Sequence, residues 1–314
     1  MPNRMVAVAS GKGGVGKTFI TANLSLALAD HLSSVGRVVS VDLDLGCGNL
    51  STCLGVRSPS GSINDFIMGR TSTLASTMSL TDSTNLQMIS GAYDGLIDAQ
   101  LTMDWKQRLL DQICDLDAHY TTMDLGAGTS DNVMDFFLAA NDRLLVITPE
   151  SLALHNAFLF IKSAILHLID QELSKARHLA PVRQEVHEIL HHEKGVDLRT
   201  LIARLKEWDK FSAYLVRGMI DEFQIKLVVN MYRGGEEKKY LQRFHDLLLR
   251  RLYLRNFQYM GMVHYGRKVH DTAQSLRPYI RSYPRDHVSR DIHEVAARLV
   301  RRIDDPEPVL RFPD

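Results

Sequence analysis

Eight consecutive residues, Gly11-Lys12-Gly13-Gly14-Val15-Gly16-Lys17-Thr18, have the types and spacing that hold a polyphosphate. Because Gly13, Gly14 and Gly16 lack side chains, backbone N–H groups can turn inward and donate to phosphate oxygens. The N–H groups and the positive dipole end of a following helix add to that attraction. In such a loop Lys17 is a point charge for the β- and γ-phosphates, and the Thr18 hydroxyl is placed to ligate Mg²⁺. Two carboxylates, Asp42 and Asp44, follow the apolar run 38–41. At the carboxyl end of a parallel strand they would face the crevice where ligands bind. They would also suit a turn before a helix, but the phosphate loop favours the chemical reading.

These residues need a frame. The apolar run 5–9 reads as a strand feeding the glycine loop, and Ile20, Leu24, Leu28 and Leu32 give a helix over 17–32. Further strands are expected over 38–41, 86–89, 120–123, 143–147, 224–229 and 259–263. Helices are expected over 105–116, 152–173 and 285–303, the last with Val288, Ile292, Val295, Leu299 and Ile303 on one face. Residues 58–84 are rich in Ser and Thr and hold one short helical pattern at Ile63, Phe66 and Ile67; the rest is expected to be loop. Strands alternating with helices predict an α/β fold, a mostly parallel sheet flanked by helices on both faces.

A chain of 314 residues can bury a large core. Lys plus Arg number 37 and Asp plus Glu 37, so net charge favours no particular partner. Cys47, Cys53 and Cys114 form no C-x-x-C pair, which fits a reducing cytoplasm. The start of the chain runs into the first strand, and no signal peptide is expected there. No uninterrupted apolar run approaches the ~20 residues that span a bilayer, so no transmembrane segment is expected.

Lys12 is a second lysine inside the loop, which an ordinary phosphate loop does not require. The run 12–18 resembles the deviant Walker A signature of the MinD/ParA family of P-loop ATPases. The resemblance implies a Mg²⁺-dependent ATP hydrolase that works as an ATP-bound homodimer, with Lys12 reaching across to the partner's nucleotide. It further implies that residues 42–49 are a first switch, in which Asp44 orients the attacking water and Asp42 supports Mg²⁺ through water or holds the switch backbone. Asp124-Leu125-Gly126-Ala127-Gly128 resembles a Walker B aspartate with the second switch, and is most similar to the flagellar-number branch (FlhG/FleN-like). By the same resemblance Asp124 holds a Mg²⁺-bound water. Gly11, Lys12, Gly13, Gly14, Val15, Gly16, Lys17 and Thr18 bind ATP, and Asn230, at the end of the 224–229 strand, recognises adenine. A simple turn asparagine is the other reading of Asn230. The resemblance covers about 5–173 and 224–303.

The chain therefore reads as a single ATPase domain over 1–303, a helical insertion over 174–223 and a short proline-containing tail over 304–314. Val182, Val186, Ile189 and Leu190 suggest one helix of the insertion. Asp197 is placed to cap a second, with Leu198, Leu201, Ile202, Leu205 and Trp208 on one side. The insertion is too short for its own core and is expected to pack on the ATPase body and dock an activator or cargo protein. His187-Glu188-Ile189-Leu190-His191 matches H-E-x-x-H, but among 13 histidines the match favours solvated face residues over zinc chemistry.

The C-terminal third is basic, from Arg233, Lys238 and Arg243 to Arg298, Arg301 and Arg302. It could contact DNA non-specifically or an anionic membrane surface peripherally. Three prolines in the tail oppose a membrane-binding helix. The expected role is spatial regulation, of flagellar number or another cell-positioning task, from a cytoplasmic, polar or nucleoid-associated location. A ParA-like partition ATPase is the alternative. An iron–sulphur carrier of the Mrp type is more remote, since no paired cysteines stand near the C-terminus.

Overall fold

The computed structural model describes residues 3–32, 36–45, 48–91, 102–192, 195–269, 272 and 277–300. Gly46 and Cys47 of the first switch, and the tail with its 303/304 boundary, lie outside the described residues.

Strands β1 (Arg4–Ser10), β2 (Val38–Leu43), β3 (Ser79–Leu80), β4 (Leu86–Ile89), β5 (Tyr120–Ala127), β6 (Asp142–Ile147), β7 (Ile225–Tyr232) and β8 (Phe257–His264) make one sheet in the order β3-β4-β2-β5-β1-β6-β7-β8. All neighbours are parallel except β3, which runs antiparallel to β4. Six of the seven residues of β1 are buried, as a strand covered on both faces requires. Its side chains alternate: Met5, Ala7 and Ala9 enter one core and Val6 and Val8 the other.

Helices α1 (Lys17–Leu32), α2 (Leu50–Leu54), α11 (Tyr279–Ser282) and α12 (His287–Val300) cover the Val6/Val8 face. Helices α3 (Ile63–Ile67), α4 (Met103–Cys114), α5 (Asp131–Ala139), α6 (Ser151–Ser174), α7 (Ala180–His192), α8 (Leu198–Trp208), α9 (Lys210–Glu222) and α10 (Glu237–Arg251) pack on the other. Among the described helices α6 alone is long and apolar enough to cross a membrane. It lies instead along the core, with Phe160, Ile161, Ala164, Ile165 and Ile169 fully enclosed. Each buried Phe or Ile side chain here contributes roughly 1.5–3 kcal/mol by leaving water.

Several expectations need adjusting. β2, β5 and β7 run further than their apolar runs, so Asp42, Asp124 and Asn230 lie within strands rather than after them. Lateral pairing extends these strands: Asp42 sits in register with Asp124, and Leu43 with Leu125. A 3-10 turn (Leu74–Thr77) and β3 occupy residues expected to be loop. The described residues between 174 and 223 form three α-helices, α7, α8 and α9, rather than two. Asp209 closes α8 and caps α9 by accepting the Ser212 N–H, so one residue separates the helices. Val186, Leu201, Leu205, Val216 and Ile220 from these helices enter the same core as the sheet.

Candidate functional site

β5 and β6 flank β1 on opposite sides, which opens a crevice beyond the carboxyl end of β1. The glycine loop leaves β1 at Ser10 and enters α1 at Lys17. Gly14 and Gly16 both have φ of 83°, in the left-handed region that favours glycine. A side chain at Gly16 would also collide, since its Cβ would stand 2.4 Å from Asn230 Nδ2. Gly11 is pressed against α6 in the same way, 2.4 Å from the Asn156 carbonyl oxygen to a Cβ placed there. Positions 13 and 14 meet nothing within 4 Å, so the loop's mouth is open.

Beneath the loop is a buried ionic cluster. Lys17 Nζ lies 2.9 Å from Asp124 Oδ1, with the lysine 7% and the aspartate 0% exposed. Thr21 Oγ1 donates to the same carboxylate oxygen at 2.8 Å. Asp124 Oδ2 is buried and accepts no hydrogen bond. Lys17 Nζ is 3.5 Å from the Thr18 hydroxyl. Deeper down, Ser25, Ser40 and Thr122 share hydroxyl hydrogen bonds between α1, β2 and β5.

Asp42 stands beside Asp124 on the adjacent strand. Its Oδ1 accepts the Asp44 N–H at 3.1 Å and its Oδ2 the Leu50 N–H at 3.2 Å. Burial, with the neighbouring Asp124 charge, pushes the Asp42 carboxyl up to about 7. Burial near both aspartates raises the Cys53 thiol to about 11. Asp44 is half-buried, and its Oδ1 is 3.8 Å from a Cβ placed on Gly126, so the two expected switches meet there. The Gly128 N–H donates to the Ser10 carbonyl, which ties the end of β5 to the base of the loop.

Lys12 lies outside the cluster. It is 29% exposed, and its Nζ is 3.6 Å from Glu150 of the same chain. Asn230 is buried and donates from Nδ2 to the Val15 carbonyl at 2.8 Å. It also lines a cavity of about 300 Å³ with Gly16, Phe19, Met231, His264 and Tyr265. All the sequence-derived site residues thus gather around one crevice, with Lys12 at its edge.

Thr21 and Glu150 were not anticipated. Thr21 and Ser25 are hydroxyls at core positions of an otherwise apolar helix, a signal that could have been read. Glu150 had no such signal. His187 of the H-E-x-x-H run pairs with Asp170 at 2.7 Å, and no group of three or more His, Cys, Asp or Glu is placed to hold a metal among the described residues.

The family model described as ParA, "NUBPL iron-transfer P-loop NTPase", matches residues 2–164. The antiactivator FleN of Pseudomonas aeruginosa is 27% identical over 301 residues, which covers 95% of this chain and 86% of that protein. The septum site-determining protein MinD of Helicobacter pylori is 29% identical over 173 residues, 55% of this chain and 61% of that one. In fold the chain is similar to MinD from Pyrococcus horikoshii complexed with Mg-ADP. That comparison has a TM-score of 0.62 at 19% identity over 95% of this chain and 96% of that one. The glycine loop, the buried Lys17–Asp124 pair and the match over half the sequence agree: the chain belongs to the ParA/MinD family of P-loop NTPases and is an ATPase.

Proposed function

We propose that this ATPase works as an ATP-switched homodimer in the spatial regulation of a cellular structure, in the manner of the flagellar-number branch. The contrast between the two loop lysines carries the reading. Lys17 is buried and pinned on Asp124, where it can serve only its own chain's nucleotide. Lys12 is partly exposed and held by one carboxylate that is itself 65% exposed, so it can be released toward a second subunit.

The residues fit a nucleotide with Mg²⁺. The glycine N–H groups hold phosphate oxygens, and Lys17 moves from Asp124 toward the β- and γ-phosphates. The orphaned Asp124 Oδ2 and the Thr18 hydroxyl are oxygen donors of the kind Mg²⁺ takes alongside water and phosphate. Mg²⁺, when bound, neutralises charge that develops on the transferring phosphoryl group. Both oxygens of Asp42 are engaged by backbone N–H groups, which favours a role in holding the first switch over one as a ligand. Asp44, free of that duty and facing Gly126, orients water. The cavity beside Asn230 receives the base.

The flagellar branch rests on Asp124-Leu125-Gly126-Ala127-Gly128 and on the likeness to FleN. A fluorescent fusion would test a polar against a nucleoid-associated location in the cytoplasm. A DNA-walking role draws less support, because many basic C-terminal residues are paired: Lys239 with Glu236, Arg251 with Asp197, Arg281 with Asp30 and Arg298 with Glu294. Iron transfer, which the family description names, would need paired thiols, and Cys53 and Cys114 stand on separate helices.

Lys12→Ala tests the central point. Nucleotide binding should persist within about threefold, while turnover that rises with protein concentration should fall by roughly 10³ or more. Full activity in that variant would end the dimer mechanism.

A further inference from the structure

Helix α10 has two apolar sides. Leu241, Phe244 and Leu248 enter the core, whereas Tyr240 and Leu247 remain 40% and 45% exposed. The exposed side forms one wall of a continuous groove. Toward the N-terminal half of α10 the opposite wall is the start of α6, with Leu154 and Phe158, around a cavity of about 410 Å³. Toward its C-terminal half the opposite wall is α8, around a wider space of about 970 Å³. The two spaces share Asp197, Arg243, Leu247 and Arg251. From Tyr240 to Arg251 the groove follows α10 for about 16 Å, roughly three helical turns.

The smaller space has an apolar floor of Leu154, Phe158, Phe244 and Leu247, and the larger is walled mainly by arginines. Arg199, Arg243 and Arg250 line the groove and make no ion pair among the described residues. Asp197 is occupied by Arg251 at 2.8 Å, and Arg204 lies 3.4 Å from Glu207. The apolar stretch, about two turns of α10 from Tyr240 to Leu247, takes the i, i+3, i+4, i+7 face of an amphipathic helix. A rim with uncompensated arginines selects a helix flanked by carboxylates. Nucleic acid suits the site less well, because Asp197, Glu207 and Asp246 interrupt the arginines of the larger space and the smaller space is lined by Leu154, Phe158 and Phe244.

The groove also backs onto the phosphate loop. His155 lines it, and the next residue, Asn156, presents the carbonyl that crowds Gly11. Glu150, which holds Lys12, immediately precedes α6. We propose that the α6–α8–α10 groove docks an acidic amphipathic helix of a regulatory protein, and that the docked helix acts on the phosphate loop through the start of α6. The docking half stands on the groove alone; the regulatory half rests on the ATPase reading above.

The full chain would be titrated, by fluorescence anisotropy, with a labelled synthetic helix of three to four turns bearing leucines on one face and glutamates beside them. A scrambled peptide, a lysine-for-glutamate peptide, duplex DNA and phosphatidylglycerol vesicles complete the panel. The acidic helix should bind saturably, at least tenfold more tightly than the scrambled or lysine peptide. Leu247→Asp should weaken it at least tenfold, and the double change Arg243→Glu with Arg250→Glu should reverse the preference toward the lysine peptide. All three positions are exposed, and retained ADP binding would verify the fold of each variant.

Equal binding of the scrambled peptide, or indifference to both variants, would overturn the docking site. So would loss of DNA or vesicle binding in Leu247→Asp while no peptide binds. ATP turnover measured on the same samples separates the two halves: a change of threefold or more at saturating peptide supports action on the loop. Saturable binding with unchanged turnover overturns that action and leaves the docking site standing.

Discussion

The phosphate-loop region and the α7–α10 region use charge in opposite ways. Around the loop, Lys17, Asp42 and Asp124 are stripped of water and, apart from the orphaned Asp124 Oδ2, satisfy one another or take backbone and hydroxyl donors. Across α7–α10, charges stay mostly in water, in surface pairs such as Lys239–Glu236 and Arg204–Glu207; the buried cap Asp197 is an exception, and it is paired with an exposed arginine. Buried ions are tolerated only in fixed geometry, and removing one partner costs about 3–5 kcal/mol. Surface pairs contribute ~0–1 kcal/mol and leave their residues free to vary. Chemistry sits where geometry is enforced by desolvation, whereas a docking surface needs only shape and excess charge.

The hardest test of that contrast is Lys17→Ala. It removes the cation between two adjacent carboxylates, so nucleotide binding should be lost and stability should fall by about 3–5 kcal/mol. Lys239→Ala should change stability by less than about 0.5 kcal/mol and leave turnover intact. Urea unfolding and nucleotide titration of both variants would measure the gap, and similar losses would erase the distinction between the regions.

A matched pair of glycines sharpens it. Gly16 and Gly195 have nearly the same φ, 83° and 82°. Alanine at either must enter the left-handed region, at about 1–2 kcal/mol. Only at Gly16 does the new Cβ also meet a side chain, Asn230. Gly16→Ala should therefore lose about 2–4 kcal/mol and its nucleotide affinity. Gly195→Ala should lose only the backbone part and keep its turnover. Thermal melts with and without ADP would show whether the nucleotide still stabilises each variant.

How far each region could be read from sequence follows from the same physics. The glycine spacing, Lys17 and Asp42 could be read from residue type and position, because phosphate chemistry permits few alternatives; Asp124 was reached through its resemblance to a Walker B aspartate. The strand extents were not legible, since Gly126 after Asp124 looks like a strand end and only pairing with β1 and β2 carries β5 to Ala127. Helix α9 was missed because its boundary with α8 is the single residue Asp209. Glu150 and the groove depend on where α6, α8 and α10 come to rest, which no local pattern encodes.

Between the two regions lies a cluster that should respond to pH. Asp135 of α5 accepts Lys106 Nζ at 2.6 Å, His167 Nε2 at 2.7 Å and Gln171 Nε2 at 2.9 Å. The hydrogen bond to Asp135 raises the His167 pKa despite partial burial, with Asp131 and Asp170 adding to the rise. A histidine whose folded pKa is raised stabilises fully below its unfolded value, about 6.5, and loses that contribution as pH rises through the folded value. His167→Gln should therefore be less stable than the native chain by about 1 kcal/mol near pH 5.5, with the difference closing toward pH 9. Asp135 has a lowered pKa, so its contribution is lost only in more acidic solution, as pH falls below the carboxylate range. Chemical denaturation at several pH values would trace the difference; a gap that widened with pH would reverse the assignment.

The smallest effects belong at Asp197, where cap and charge can be separated. Its Oδ1 accepts the Thr200 N–H at 2.8 Å and so caps α8, while its Oδ2 takes Arg251 at 2.8 Å. Asparagine caps about as well as aspartate, and alanine does not cap. Asp197→Asn should thus stay within about 0.5 kcal/mol of the native chain, and Asp197→Ala should lose about 1 kcal/mol. Neither should alter turnover, because no part of the phosphate crevice touches this cap. Both release Arg251 into the groove, so both should bind an acidic amphipathic helix more tightly, by a similar factor, despite their different stabilities. Binding that followed stability instead would mean that the groove's shape, held by the α8 cap, outweighs its charge. The contrast between an enforced site and a permissive surface would then fail at the one place where the surface was expected to act.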